Sequence, residues 1–169
     1  AFAEGCPVSE GGMYWFHCHN VGWEKGARGL YGPLVIDDDH DPDVDHDICL
    51  MVDDWRLDND GQIDQASLGG LHDWSHGGRL GNWLTVNGKS APEFRVKDKA
   101  RIRLRLINAA NARIMTIQLT EAPATLIALD GAFCQPAQVT KNTLAPAQRS
   151  DGILDIDCHF YTHAAADDA

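Results

Sequence analysis

The sequence predicts an all-β chain: a Greek-key sandwich of short antiparallel strands with little helix, occupying residues 44–157 as a single unit. Two observations carry that expectation. Nearly every apolar segment alternates with a period of two, as a strand with one buried face does. The segments are also short and evenly spaced, with turn signals such as Asn59-Asp60-Gly61 and Asn87-Gly88 between them.

The first element is Tyr14-Trp15-Phe16-His17-Cys18-His19. Its aromatic residues favour strand, and successive strand side chains alternate, so His17 and His19 project from one face as a two-nitrogen claw. Imidazole suits copper, zinc or iron, and a mononuclear site needs more ligands than two. Read blandly, the same pair is two half-buried strand histidines satisfied by backbone carbonyls. A polar, Pro-interrupted run follows, Asp37-Asp38-Asp39-His40-Asp41-Pro42-Asp43-Val44-Asp45-His46-Asp47, which reads as a solvated, self-repelling linker. Its donors are also those of a divalent-cation site.

Ile48-Cys49-Leu50-Met51-Val52 is the next strand, ending at Asp53-Asp54-Trp55-Arg56-Leu57. Residues 62–82 have no clear period and read as an ordered loop, in which His72 and His76 stand four apart; the neighbouring glycines argue against a metal-binding helix. Leu84-Thr85-Val86, Phe94-Arg95-Val96, Arg101 to Ile107, Ile114 to Leu119, Leu126 to Leu129 and Gln148 to Ile156 supply further strands. Arg101, Arg103 and Arg105 share one face of theirs, either solvated or paired with carboxylates.

Composition excludes several classes. A net charge of −11 over 169 residues leaves no basic face for nucleic acid, and no apolar run is long enough for a membrane span. Five cysteines, Cys6, Cys18, Cys49, Cys134 and Cys158, are an odd number without CxxC spacing, so neither a zinc site nor a complete disulfide framework is indicated.

Residues 14–38, with their Trp23-Glu24 and Arg28-Gly29-Leu30-Tyr31-Gly32-Pro33-Leu34 loop, resemble the end of the first cupredoxin domain of bacterial laccase-like multicopper oxidases. The segments Asp53 to Leu57, Arg103 to Ala109, Leu129-Asp130-Gly131 and Leu144 to Arg149 resemble the second domain of the same family. The resemblance covers residues 13–156 and implies a cupredoxin-like Greek-key β-sandwich. It divides the chain into 1–38, an incomplete first cupredoxin domain; 39–47, the acidic linker; 48–157, a second cupredoxin-like domain; and 158–169, a tail with His159 and His163. It also implies that His17 and His19 bind copper, as part of the type 3 pair of a trinuclear cluster. Implied partners are copper ions, dioxygen, a small reducing substrate that is phenol-like or a metal ion, and the remaining cupredoxin domains. The setting implied is periplasmic or secreted.

Two departures qualify the resemblance. His17-Cys18-His19 is similar to the tripeptide of the family's last domain, where the cysteine ligates type 1 copper. That site also needs a later His and an axial Met, and none stands between Asn20 and Asp39. Cys18 is therefore expected to be a small buried residue facing away from the histidines. Copper nitrite reductase fails on the same missing ligands. The chain also supplies one His-x-His motif where the cluster uses four, so it is expected to be a piece of a longer oxidase, inactive alone. The alternative is a non-catalytic cupredoxin-like structural or protein-binding module.

Overall fold

Backbone alternation decides the first element. In the computed structural model, which describes Val8, residues 10–120 and residues 122–156, strand β1 (Gly12–His17) pairs antiparallel with β2 (Tyr31–Ile36). The register sets Trp15 against Pro33 and His17 against Tyr31. Between them Val21, in the left-handed region at φ 56, turns the chain into the short helix α1 (Gly22–Ala27).

The remaining strands are β3 (His46–Trp55), β4 (Trp83–Val86), β5 (Arg101–Asn108), β6 (Met115–Gln118), β7 (Ala124–Leu129), β8 (Ala132–Val139), β9 (Lys141–Leu144) and β10 (Arg149–Asp155). Six form one sheet in the order β4-β3-β5-β10-β7-β8, while β6 and β9 pair with each other. The all-β expectation holds, but purely antiparallel pairing does not, because β3 and β5 run parallel. Topology gives the reason. β4 reverses onto one side of β3, and the return to the other side is a second reversal, which restores the direction of β3. Residues 62–82 also hold more structure than an irregular loop: a 3-10 turn at Gln65–Ser67 and helix α2 (Leu71–Ser75), which fits between Gly70 and Gly77.

The two faces of β5 do different work. Ile102 and Leu104 join Ala100, Ala124, Leu154 and Ile156 in one apolar cluster. On the opposite face Ile107, fully buried, joins Met51 and Ala109 with Met13, Trp15 and Tyr31 of the hairpin. That second cluster seats the hairpin on the sheet. Arg149 adds a hydrogen bond from Nε to Met13 O at 3.2 Å, and Gly12 comes so near Gly131 O that a Cβ would lie 2.3 Å from it.

Arg103 and Arg105 share that second face and are not solvated: they are 2% and 1% exposed. Asp151 of β10 accepts from both, at 2.7 and 3.2 Å, Asp47 pairs with Arg105 at 2.7 Å, and Asp41 pairs with Arg103. The acidic run is thus a strap tied to the sheet at Asp41 and Asp47, while Asp37, Asp39, His40, Asp43 and Asp45 along it stay exposed. Partial burial pulls the Asp41 carboxyl up, but the hydrogen bond and charge of Arg103 outweigh it and leave it below the usual carboxylate range. Asp151 goes the other way, since burial prevails over its two arginines.

Candidate metal centre

The claw is built by stacking. Trp15 and His17 alternate onto one face of β1, their ring centroids 4.5 Å apart with planes at 29°. His19, just past the strand end, continues the column, its ring 4.6 Å from that of His17 at 23°. The same-face expectation for His17 and His19 therefore holds in space, although the strand ends at His17. Cys18 is half-buried rather than buried, and its thiol turns back to donate to Asn20 O at 3.3 Å. Trp15 is braced in turn by Tyr31, edge-on at 6.1 Å.

These rings open into a cavity of about 770 Å³ between the hairpin, α1 and the 62–82 segment. Trp23 of α1 meets Trp74 of α2 edge to face at 5.7 Å on its wall. The far wall is the Ala109–Asn111 turn, held by the buried amide of Asn108, whose Nδ2 donates to Arg113 O and Leu144 O, both at 2.8 Å, while Ala110 N donates to its Oδ1. His76 also lines the cavity. Because α2 does form, His72 and His76 stack at 4.3 Å, and His76 Nδ1 lies 3.0 Å from His72 O. Among the described residues no three His, Cys, Asp or Glu side chains converge as a metal site. His159, His163, Cys6 and Cys158 lie outside the described residues.

Behind the claw sits a group that motif reading missed. The Tyr31 hydroxyl donates to Asp53 Oδ2, and Asp54 N donates to Asp53 Oδ1 at 2.7 Å. Burial raises the Asp53 carboxyl to about 7, against the pull of these hydrogen bonds. Burial, together with the Asp53 charge, pushes the Tyr31 phenol far above its ordinary range. The sequence signal was present in the doubled Asp53-Asp54 at the end of an apolar strand, where at least one carboxylate must point inward. Arg79, 8% exposed and on the cavity wall, carried no comparable signal within its glycine-rich surroundings.

Residues 46–166 match the model of the multicopper oxidase family. Among curated proteins, the chain is 30% identical over 157 residues to multicopper oxidase LPR1 homolog 3 of Oryza sativa subsp. japonica, covering 85% of this chain and 29% of that protein. It is 31% identical over 153 residues to the cell division protein FtsP of Salmonella typhimurium, covering 84% of this chain and 31% of that protein. The chain thus spans about three tenths of the length of these relatives. The crystal structure of a multicopper oxidase from Pseudomonas thermotolerans superposes with a TM-score of 0.80 at 28% identity, over 87% of this chain and 36% of that one.

Proposed function

As the chain belongs to the multicopper oxidase family, we propose that it is a segment of a laccase-like oxidase whose His17 and His19 serve a type 3 copper pair. The observation that carries this reading is the stacked pair of imidazoles facing a cavity: two nitrogen donors, held side by side, with room beside them. The donor set fits copper, and it is half-finished, since two imidazoles leave coordination positions to be filled from elsewhere. Copper held by His17 and His19 with donors from elsewhere would supply one-electron redox chemistry toward a phenol-like or metal-ion substrate, with dioxygen reduced to water as it takes up those electrons and protons from solvent.

The protein's own part is positioning. Trp15 on one side and His19 on the other limit the rotation of the His17 ring, so its nitrogen is presented without a large ordering cost. The Cys18 thiol is occupied with Asn20 O, and it serves as a small side chain in place of a serine. The six-stranded sheet is a copper-free body that seats the hairpin and shapes the cavity wall. The missing donors and the entry point for substrate electrons belong to further cupredoxin domains of a periplasmic or secreted protein.

Copper titration of the 169-residue chain against the double variant His17→Ala/His19→Ala tests this. Weak binding that disappears in the variant is expected, and it should weaken as pH falls because protons compete for the same nitrogens. Undiminished binding in the variant would move the site to His72 and His76 or to the tail. Sustained turnover of a phenol by this chain alone would overturn its being an incomplete oxidase.

A second reading is favoured by the likeness to the cell division protein FtsP: a cupredoxin-like module for structural or protein-binding work. Absence of any copper binding by the chain would move the balance to it.

A further inference from the structure

Tyr14 and Tyr31, the two tyrosines among the described residues, have surroundings of opposite charge. The Arg149 guanidinium lies over the Tyr14 ring, 5.9 Å from its centroid, and a cation on that face opposes the loss of an electron from the ring. The Tyr31 hydroxyl instead donates to Asp53 Oδ2, whose residue is 6% exposed. A phenol that keeps its proton is hard to oxidise, because the radical cation so formed is a strong acid. A base already hydrogen-bonded to the hydroxyl removes that obstacle by taking the proton as the electron leaves.

Tyr31 is joined to the claw by rings alone. Its ring meets Trp15 edge-on at 6.1 Å, Trp15 stacks on His17 at 4.5 Å, and His17 stacks on His19 at 4.6 Å. Electron tunnelling falls steeply with distance, so a column of rings in contact divides one long transfer into short ones. At the far end Asp53 is fixed by Asp54 N, which donates to its Oδ1 at 2.7 Å and leaves Oδ2 to the phenol. Because Asp53 is buried, a proton passed to it stays beside the phenol oxygen and can return with the next electron.

We infer that Tyr31 is a one-electron relay for the claw. A one-electron oxidant at His17 and His19 draws an electron through Trp15 from the Tyr31 phenol, whose O–H bond breaks as the proton forms a new O–H bond on Asp53 Oδ2. The products are the oxidant reduced by one electron, a neutral Tyr31 phenoxyl radical and a neutral Asp53 carboxylic acid. One electron from the reducing substrate, with the same proton, restores the starting pair. That the natural oxidant is copper(II) rests on the copper reading above; the relay itself serves any one-electron oxidant at the two imidazoles.

The test uses the metal-free 169-residue chain with a ruthenium(II) bipyridyl photosensitiser coordinated to the claw, the singly labelled species being purified and its histidine ligand confirmed by peptide mass mapping. Flash oxidation of the label to ruthenium(III) is done at about pH 8.5, above the Asp53 value of about 7, where the carboxylate can take a proton. Transient absorption and freeze-trapped electron paramagnetic resonance should show a tyrosyl radical in wild type and in Tyr14→Phe, and none in Tyr31→Phe. Asp53→Asn still accepts the hydrogen bond but takes no proton, so the radical should form about a hundredfold more slowly. Trp15→Phe keeps the packing but removes the oxidisable ring, and should also slow it. No tyrosyl radical in wild type, a wild-type yield in Tyr31→Phe, or a wild-type rate in Asp53→Asn or Trp15→Phe would overturn the inference. If circular dichroism shows Tyr31→Phe unfolded, the rates of Asp53→Asn and Trp15→Phe decide. Failure of the relay leaves the copper titration as it stands, and failure of that titration leaves these outcomes as they stand.

Discussion

The hairpin that carries His17 and His19 and the sheet face that carries Arg103 and Arg105 are both polar, and the chain treats them oppositely. The hairpin leaves its rings open to the cavity and its Phe16 61% exposed, held chiefly by Met13, Trp15 and Tyr31 against Ile107 and Met51. The sheet face withdraws its charges to 2% and 1% exposure and surrounds them with three carboxylates. Side chains intended for a ligand are left with unused valence; side chains intended for structure have theirs consumed. By that criterion the alternating arginines of β5 are structural, whatever their resemblance to a binding stripe, and the two stacked imidazoles are the chemical feature.

The comparison would break first at Asp151. Its carboxylate serves both arginines, so Asp151→Ala leaves two buried guanidinium groups short of charge and should cost about 3–5 kcal/mol in denaturant unfolding. A loss below about 1 kcal/mol would mean that the face is hydrated and the two regions do not differ in kind. The double change Arg103→Met/Asp151→Leu should recover most of the loss, because apolar side chains of similar volume remove the desolvation cost along with the charge.

Two carboxylates should sharpen it through pH, with opposite signs. Asp53 lies behind the hairpin and its folded value, about 7, is above that of the unfolded chain. Its contribution to stability is therefore complete below the unfolded value near 3.8 and is lost as pH rises through about 7. Asp53→Asn, which copies the protonated form and can still accept from Tyr31, should match wild type below about pH 4, draw ahead of it as pH rises toward 7, and be more stable by up to about 4 kcal/mol at alkaline pH. Asp41 on the strap is depressed, so its stabilisation is present above the unfolded value and disappears as pH falls through the lower folded one. Asp41→Asn should cost about 1 kcal/mol at neutral pH and flatten the acid limb. Parallel slopes for the two variants would show that the strap and the hairpin base share one electrostatic environment.

Much of this arrangement was legible in the sequence because it is local. Residues i and i+2 on a strand share a face, which was enough to bring His17 and His19 together, and period-2 alternation was enough to place β3, β5, β7 and β10. What was not legible depended on partners distant in the chain. The parallel pairing of β3 with β5 follows from where β4 lies, and alternation carries no information about neighbours. That Asp41 and Asp47 of the acidic run tie it to the sheet was not legible, because their partners Arg103 and Arg105 stand about 60 residues further on. Arg79 gave no local signal either, since the oxygens that hold it, Ser67 Oγ and Arg56 O, lie 12 and 23 residues away in the chain.

The smallest effect expected is on the hairpin itself. His17 and His19 are exposed, and among the described residues neither forms a hydrogen bond or ion pair; their contacts are the ring stack. Replacing His17 with Ala forfeits two stacking contacts and replacing His19 forfeits one, both at exposed sites and without creating a cavity, which places the cost at about 0.5 kcal/mol or less per residue. Ile107→Ala, which removes the buried side chain beneath the same hairpin, should cost about 2–4 kcal/mol. Thermal unfolding of the metal-free chain should therefore leave His17→Ala and His19→Ala close to wild type and lower Ile107→Ala by many degrees. Copper, added afterwards, should raise the melting temperature of wild type and of Ile107→Ala but not that of the His17→Ala/His19→Ala chain, since only a ligand that binds the folded state stabilises it. Comparable destabilisation in all three variants would make the histidines part of the structural framework, and the distinction between the two regions would fail at the residues on which the copper reading depends.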